Sequence, residues 1–237
     1  MANNYFEFKQ FKIYQDKAAM KVGTDGVLLG AWASINEASN ILDIGAGTGL
    51  IAIMCAQRNE NAHIDAIEID ELASEQAKEN INACPWTTRI SITNKALQNF
   101  IPVSKYDAII TNPPFFVNST KTSCDKKTTA RHTDTLPFEE IINFSLKHLT
   151  PKGKLSVVLP VTESETFINI ALEQKLYCTR KTIVIPKPGA QAKRLLMEFS
   201  PLYSKMITKT FTTETEQRHF YTEEYKELTG EFYARLK

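Results

Sequence analysis

The chain has 237 residues, 43% of them hydrophobic, which is enough for one good-sized core, and a net charge of only +1, so overall charge neither selects nor excludes a polyanionic partner. No apolar run approaches the roughly 20 residues of a membrane span, and the start MANNYFEFKQFKIYQ lacks the basic and apolar regions of a signal peptide; a cytoplasmic protein without membrane association is expected. Cys55, Cys84, Cys124 and Cys178 form no CxxC, and His63, His132, His148 and His219 are not ligand-spaced with them, so free thiols and no metal site are expected.

Residues 5–23 mix aromatic side chains with Lys9, Lys12, Lys17 and Lys21. They read as an N-terminal arm covering a sheet, with Lys17 and Lys21 either solvated or lining a substrate channel. Thr24 or Asp25 is the expected N-cap of a short apolar helix over 27–33. The run NILDI (40–44) reads as a buried strand and leads through Gly45, Ala46, Gly47, Thr48 and Gly49 into the apolar helix LIAIMCAQR. Strand, glycine loop and helix in this order make a nucleotide-type cradle. Its glycines are spaced GxGxG, whereas the dinucleotide fingerprint wants the third at the position of Leu50; this favours S-adenosyl-L-methionine over NAD. Asp43 is placed to take up the cofactor's amino group, directly or through water, and glycine lets the backbone approach the ligand closely.

The next strand, HIDAI, ends at Glu68, Ile69 and Asp70, about 20 residues beyond the loop, where a carboxylate commonly holds a ribose diol. Glu68 is the candidate, while Asp70 reads as the cap of the helix 71–83. After a third strand, RISIT, no acid is available for an adenine amino group, so backbone groups around Ala96 and Leu97 are the expected contact.

The strand YDAIIT (106–111) runs into Asn112, Pro113, Pro114 and Phe115. The two prolines donate no hydrogen bond and hold the turn stiff. The Asn112 side-chain oxygen and the Pro113 carbonyl are then two acceptors suited to one planar amino group, and Phe115 offers a ring for a flat heterocycle to stack on. Gripping both N–H groups of an exocyclic amine returns its lone pair to the nitrogen, which stabilises the transition state of its alkylation. This NPPF tetrapeptide resembles motif IV of the amino-methyltransferases, which use S-adenosyl-L-methionine to alkylate adenine, cytosine or glutamine nitrogen.

Residues 116–137 are polar and aperiodic, which reads as either a substrate lid or a disordered loop, the lid being favoured. A helix from Phe138, a strand over 153–159 and a helix over 163–174 follow. Between 175 and 194 stand Lys175, Arg180, Lys181, Lys187, Lys193 and Arg194 without one acid; Lys187, Lys193 and Arg194 on the loop between two strands read as a phosphate-tracking surface. The end of the chain reads as a mildly acidic helical tail.

The segment FKQFKIYQDKAAMKVGTDGVLLGAWA, taken with the later NPPF, resembles the bacterial family that methylates N6 of the adenine just 3′ of the anticodon in a valine tRNA. The resemblance implies a class I methyltransferase (Rossmann-like) α/β fold, a doubly wound seven-stranded sheet completed by a terminal antiparallel hairpin. It also places Thr24 and Asp25 beside the methionine end of the cofactor, and Arg131 and His132, within an ARH triplet, among the contacts to the anticodon stem-loop of tRNA. One domain is expected over 1–237, with an arm and helix over 1–35, a core sheet over 36–205 and a helical tail over 206–237, acting as a monomer. Three other readings stay open: a glutamine methyltransferase acting on release factors, an NAD-dependent dehydrogenase, and a non-catalytic RNA-binding module.

Overall fold

The structure, a computed structural model, describes residues 4–114 and 136–236. An N-terminal hairpin of β1 (Tyr5–Glu7) and β2 (Lys12–Tyr14) precedes helix α1 (Thr24–Trp32). Then come β3 (Asn40–Ile44), α2 (Leu50–Arg58), β4 (His63–Glu68), α3 (Glu71–Ala83), β5 (Ile90–Asn94) and β6 (Tyr106–Thr111). The chain continues through α4 (Phe138–His148), β7 (Leu149–Pro160), α5 (Val161–Glu173), β8 (Tyr177–Ile185), β9 (Arg194–Ser200), β10 (Ile207–Thr212) and α6 (Glu223–Thr229).

The main sheet has the order β10-β8-β9-β7-β6-β3-β4-β5, in which β9 alone runs antiparallel to its neighbours. Its central strands are apolar almost throughout because both faces are covered, and alternate residues feed two separate cores. Ile41 and Ile110 enter the core under α1 and α2, whereas Leu42 and Ile109 enter the one under α4 and α5. Gly30 lets α1 close on α2, since a Cβ there would lie 2.8 Å from the Met54 sulfur. Burial pushes the Cys55 thiol in α2 up to about 12.

Two expectations change. The tail is not wholly helical: the β-branched, alternating ITKTFT forms β10, pairs in parallel with the otherwise open edge of β8, and brings the sheet to eight strands. Helix α1 starts at Thr24 with Gly23 at its N-cap, so neither Thr24 nor Asp25 caps it; both lie in its first turn, where the Asp25 charge complements the helix dipole. Asp70 does cap α3, accepting the Ala73 N–H at 2.7 Å.

Candidate active site

β3 and β6 lie side by side in parallel at the point where the strand order reverses, with Asp43 opposite Ile110 and Ile44 opposite Thr111. The next residues on each strand, Gly45 and Asn112, therefore leave the sheet together at its C-terminal edge, which is where open α/β sheets bind ligands. The Thr111 hydroxyl donates to the Ile44 carbonyl at 2.9 Å and fixes this juncture.

The glycine loop is held from both sides. Gly45 and Ala46 donate to the Ile67 carbonyl at 2.9 and 3.0 Å, and Gly49 donates to Ala46 at 2.8 Å. Gly45, Gly47 and Gly49 have φ of +71°, +55° and +81°, a left-handed run that side chains disfavour. A Cβ on Gly45 or Gly47 would meet no atom of the described residues within 4 Å, so among them this part of the loop faces open space.

Two buried oxygens at this edge have no protein partner among the described residues. One is Asp43 Oδ1; the other carboxylate oxygen, Oδ2, accepts the Ala52 N–H of α2 at 3.1 Å. Complete burial pushes this carboxyl up to about 7, against the Ala52 hydrogen bond and with help from the neighbouring Glu68 charge. The second is Asn112 Oδ1, immediately beyond β6. A buried acceptor without a donor costs roughly 1–3 kcal/mol, so each oxygen marks a position where a ligand N–H is favoured. Pro113 is buried and Pro114 exposed.

Glu68 is only 8% exposed and both its oxygens are engaged, Oε2 by the Gly47 N–H at 2.8 Å and Oε1 by the Asp70 N–H at 2.9 Å. It braces the glycine loop against the start of α3, and each oxygen keeps a further lone pair on the ligand side. Beside it Ile69 is 65% exposed, an apolar face left open at the strand end. Ala96 is half-buried and starts a 3-10 turn, Leu97–Asn99; the Leu97 side chain is buried in the core, so its backbone is what it presents.

The expected RNA-contacting cations separate into two sets. Lys187 and Lys193 are exposed on the loop between β8 and β9, and Lys21 is exposed just before α1. Lys17, by contrast, is 2.7 Å from Glu79 and 3.6 Å from Glu75 on α3. Arg194 Nε is 2.7 Å from Asp25 Oδ2 and ties β9 to the first turn of α1. Arg180 is turned away altogether, bound to Glu198 at 3.0 Å and stacked 3.6 Å from the Trp32 ring. Phe115, Arg131 and His132 lie outside the described residues.

Reading by motif alone passed over two contributors, Asn80 and Gln76. Both are fully buried on the stripe of α3 that also carries Ala73 and Ala77. Amides on the apolar stripe of an amphipathic helix were the available signal.

The cradle fits a cofactor with a cationic amine for Asp43, a diol for Glu68 and a flat ring over Ile69. The Methyltransferase small domain family matches residues 23–180. A protein of Bacteroides thetaiotaomicron named tRNA1(Val) (adenine(37)-N6)-methyltransferase is 46% identical over 238 residues, covering 100% of both chains. One of the same name from Flavobacterium psychrophilum is also 46% identical, over 98% of this chain and 100% of that one. Among solved structures, a predicted O-methyltransferase from Agrobacterium tumefaciens superposes with a TM-score of 0.71 at 19% identity, covering 90% of this chain and 99% of that one. The N-methyltransferase NodS from Bradyrhizobium japonicum, solved in complex with S-adenosyl-L-homocysteine, gives 0.53 at 19% identity over 73% of this chain and 82% of that one, so these two share the fold. With an aligned relative along its whole length and a family domain across residues 23–180, the chain belongs to the tRNA1(Val) (adenine(37)-N6)-methyltransferase family.

Proposed function

We propose that the protein methylates the exocyclic N6 amine of adenine 37 in a valine tRNA, with S-adenosyl-L-methionine as the methyl donor; its full-length relatives bear that name. The observation that carries the reading is the orphaned Asn112 Oδ1, buried at the end of β6 next to the glycine loop. S-Adenosyl-L-methionine, when bound, supplies an electrophilic methyl group on a sulfonium. Asp43 would hold its amine, with Thr24 and Asp25 toward the same end; Gly45, Ala46, Gly47 and Gly49 would admit it closely; Glu68 would take the ribose hydroxyls, and Ile69, Ala96 and Leu97 would line the adenine.

The protein's part in the chemistry is placement and electrostatics. Asn112 Oδ1 and the Pro113 carbonyl each accept one N–H of the target amine, which localises its lone pair toward the methyl group. As the N–CH3 bond forms, the S–CH3 bond would break with S-adenosyl-L-homocysteine as the leaving group; the nitrogen is then cationic and strongly acidic, and its proton leaves along the Pro113 carbonyl path to water without a dedicated base. Phe115 stacks on the extruded base, whose unstacking costs a few kcal/mol and least in a single-stranded loop. Lys21, Lys187 and Lys193 supply positive charge for the anticodon-stem phosphates.

The test is transfer of labelled methyl from S-adenosyl-L-methionine to unmodified total tRNA, followed by nucleoside analysis. N6-methyladenosine is expected. Label entering a release-factor glutamine instead, with none in tRNA, would overturn the reading in favour of the amide, which the same two acceptors also suit.

A further inference from the structure

The fully buried Asn80 on α3 joins two segments that are distant in sequence. Its Oδ1 accepts the Tyr14 N–H at 2.8 Å, and its Nδ2 donates to the Tyr14 carbonyl at 2.9 Å and to the Thr48 carbonyl at 2.9 Å. Thr48 stands between the left-handed Gly47 and Gly49. Because a peptide unit is planar, the Thr48–Gly49 peptide is pinned at both ends, its carbonyl by Asn80 and its N–H by Ala46. One turn earlier, Gln76 accepts the Lys17 N–H at 3.1 Å and donates to Glu79 at 3.1 Å. Gln15 in turn accepts the Val22 N–H at 2.9 Å, just ahead of α1. The arm is thus held on α3 at Tyr14 and Lys17, and Gln15 folds its following residues back at Val22, just ahead of α1.

We infer that Asn80 is a positioning residue that makes seating of the N-terminal arm and the cofactor-ready conformation of the glycine loop a single event. The carboxamide satisfies both ends of Tyr14 only in the orientation that also meets Thr48, so an unseated arm leaves the amide free to turn and the Thr48 carbonyl unheld. Buried amides resist such losses, because each group left unpaired carries its full desolvation cost. The inference rests on the glycine loop being the cofactor site.

The experiment uses the full chain and S-adenosylhomocysteine as probe, with two readouts: calorimetric Kd and amide exchange over residues 12–22 with and without the probe. In the wild type, the probe is expected to slow exchange across the arm. Asn80→Leu, similar in size, is expected to raise the Kd about tenfold and to abolish that protection, as losing one or more buried hydrogen bonds implies. Gln76→Leu removes the arm's contact at Lys17 without altering the Asn80 side chain itself, and through the loosened arm is expected to raise the Kd about threefold on the same scale. It decides alone if Asn80→Leu does not fold. A lowered Tm with unchanged Kd and unchanged arm protection in these variants would show a purely structural role and overturn the inference. Failure of the wild type to bind the probe would instead sink the cofactor reading beneath it.

Discussion

Asn112 and Asp43 present the same physical situation, a buried oxygen without a donor among the described residues and open to one from a ligand. Replacing Asn112 with Ala removes an unsatisfied acceptor, so the variant should keep or raise its Tm while kcat for tRNA methylation falls about 10²- to 10³-fold, the scale seen when one preorganised polar contact to a reacting group is lost. Thermal unfolding and single-turnover kinetics measured side by side check this, and a stable variant with full activity would remove Asn112 from the mechanism. Asp43 makes a prediction in pH. Its folded pKa is raised from 3.8 to about 7, so between those values the folded state binds a proton that the unfolded state lacks. Its contribution to stability therefore falls as pH rises from about 4 to 7 and is flat above. Cofactor affinity runs the other way, since a cationic amine favours the ionised carboxylate: the Kd should drop as pH rises through 7 and level off. Asp43→Asn should bind more weakly and lose this pH dependence, as titrations between pH 5.5 and 8.5 would reveal. Both residues were legible from strand ends and loop spacing; their missing partners were not, because burial and the absence of a donor exist only once the strands are side by side.

Among the elements, the hairpin of β8 and β9 shows where reading charge from sequence fails. Six cations without an acid between 175 and 194 suggest one phosphate surface, yet acids outside the stretch answer two of them, the distant Asp25 for Arg194 and Glu198, just beyond it on the paired strand β9, for Arg180. Lys187 and Lys193 remain exposed on the loop at the same sheet edge as Asn112. Salt dependence separates the two sets, because only cations that displace counterions from phosphate contribute to the slope. Lys187→Gln and Lys193→Gln should each reduce the slope of log K against log salt for tRNA binding by about 0.7–0.9, as expected for one phosphate contact. Arg194→Gln should leave the slope unchanged and raise the KM for tRNA only through the loosened first turn of α1. An equal loss of slope in all three would return Arg194 to the RNA surface. The strand–loop–helix units themselves were readable because each carries its own punctuation, in glycines, caps and apolar runs. β10 lacks that punctuation, and its short β-branched alternation takes effect where β8 offers it an open edge.

At the scale of the molecule, the two ends of the chain close on each other across the face of the sheet that carries α1 and α2. The Lys9 N–H donates to the Phe232 carbonyl at 2.8 Å, and Phe6 and Phe8 pack against Tyr233 with ring centroids 5.9 and 5.7 Å apart. Tyr233 also stacks on Tyr225 of α6, while Phe11 meets Trp86 beyond α3. No local pattern announces this, since contacts separated by more than two hundred residues leave no periodicity to read. Its consequence is that the C-terminal segment supports the arm whose other end lies on α3 and leads into α1. Phe232 is 1% exposed, and deleting such a ring costs roughly 3–5 kcal/mol. A chain of this size loses roughly 2–4 °C of Tm per kcal/mol, so Phe232→Ala should melt about 10 °C lower. The damage should also be directional: below that new transition, amide exchange should quicken first over residues 5–17, while the strands flanking the glycine loop stay protected. Uniform loss of protection across the sheet would instead mean that the two ends are simply part of one core, with no separate arm to seat.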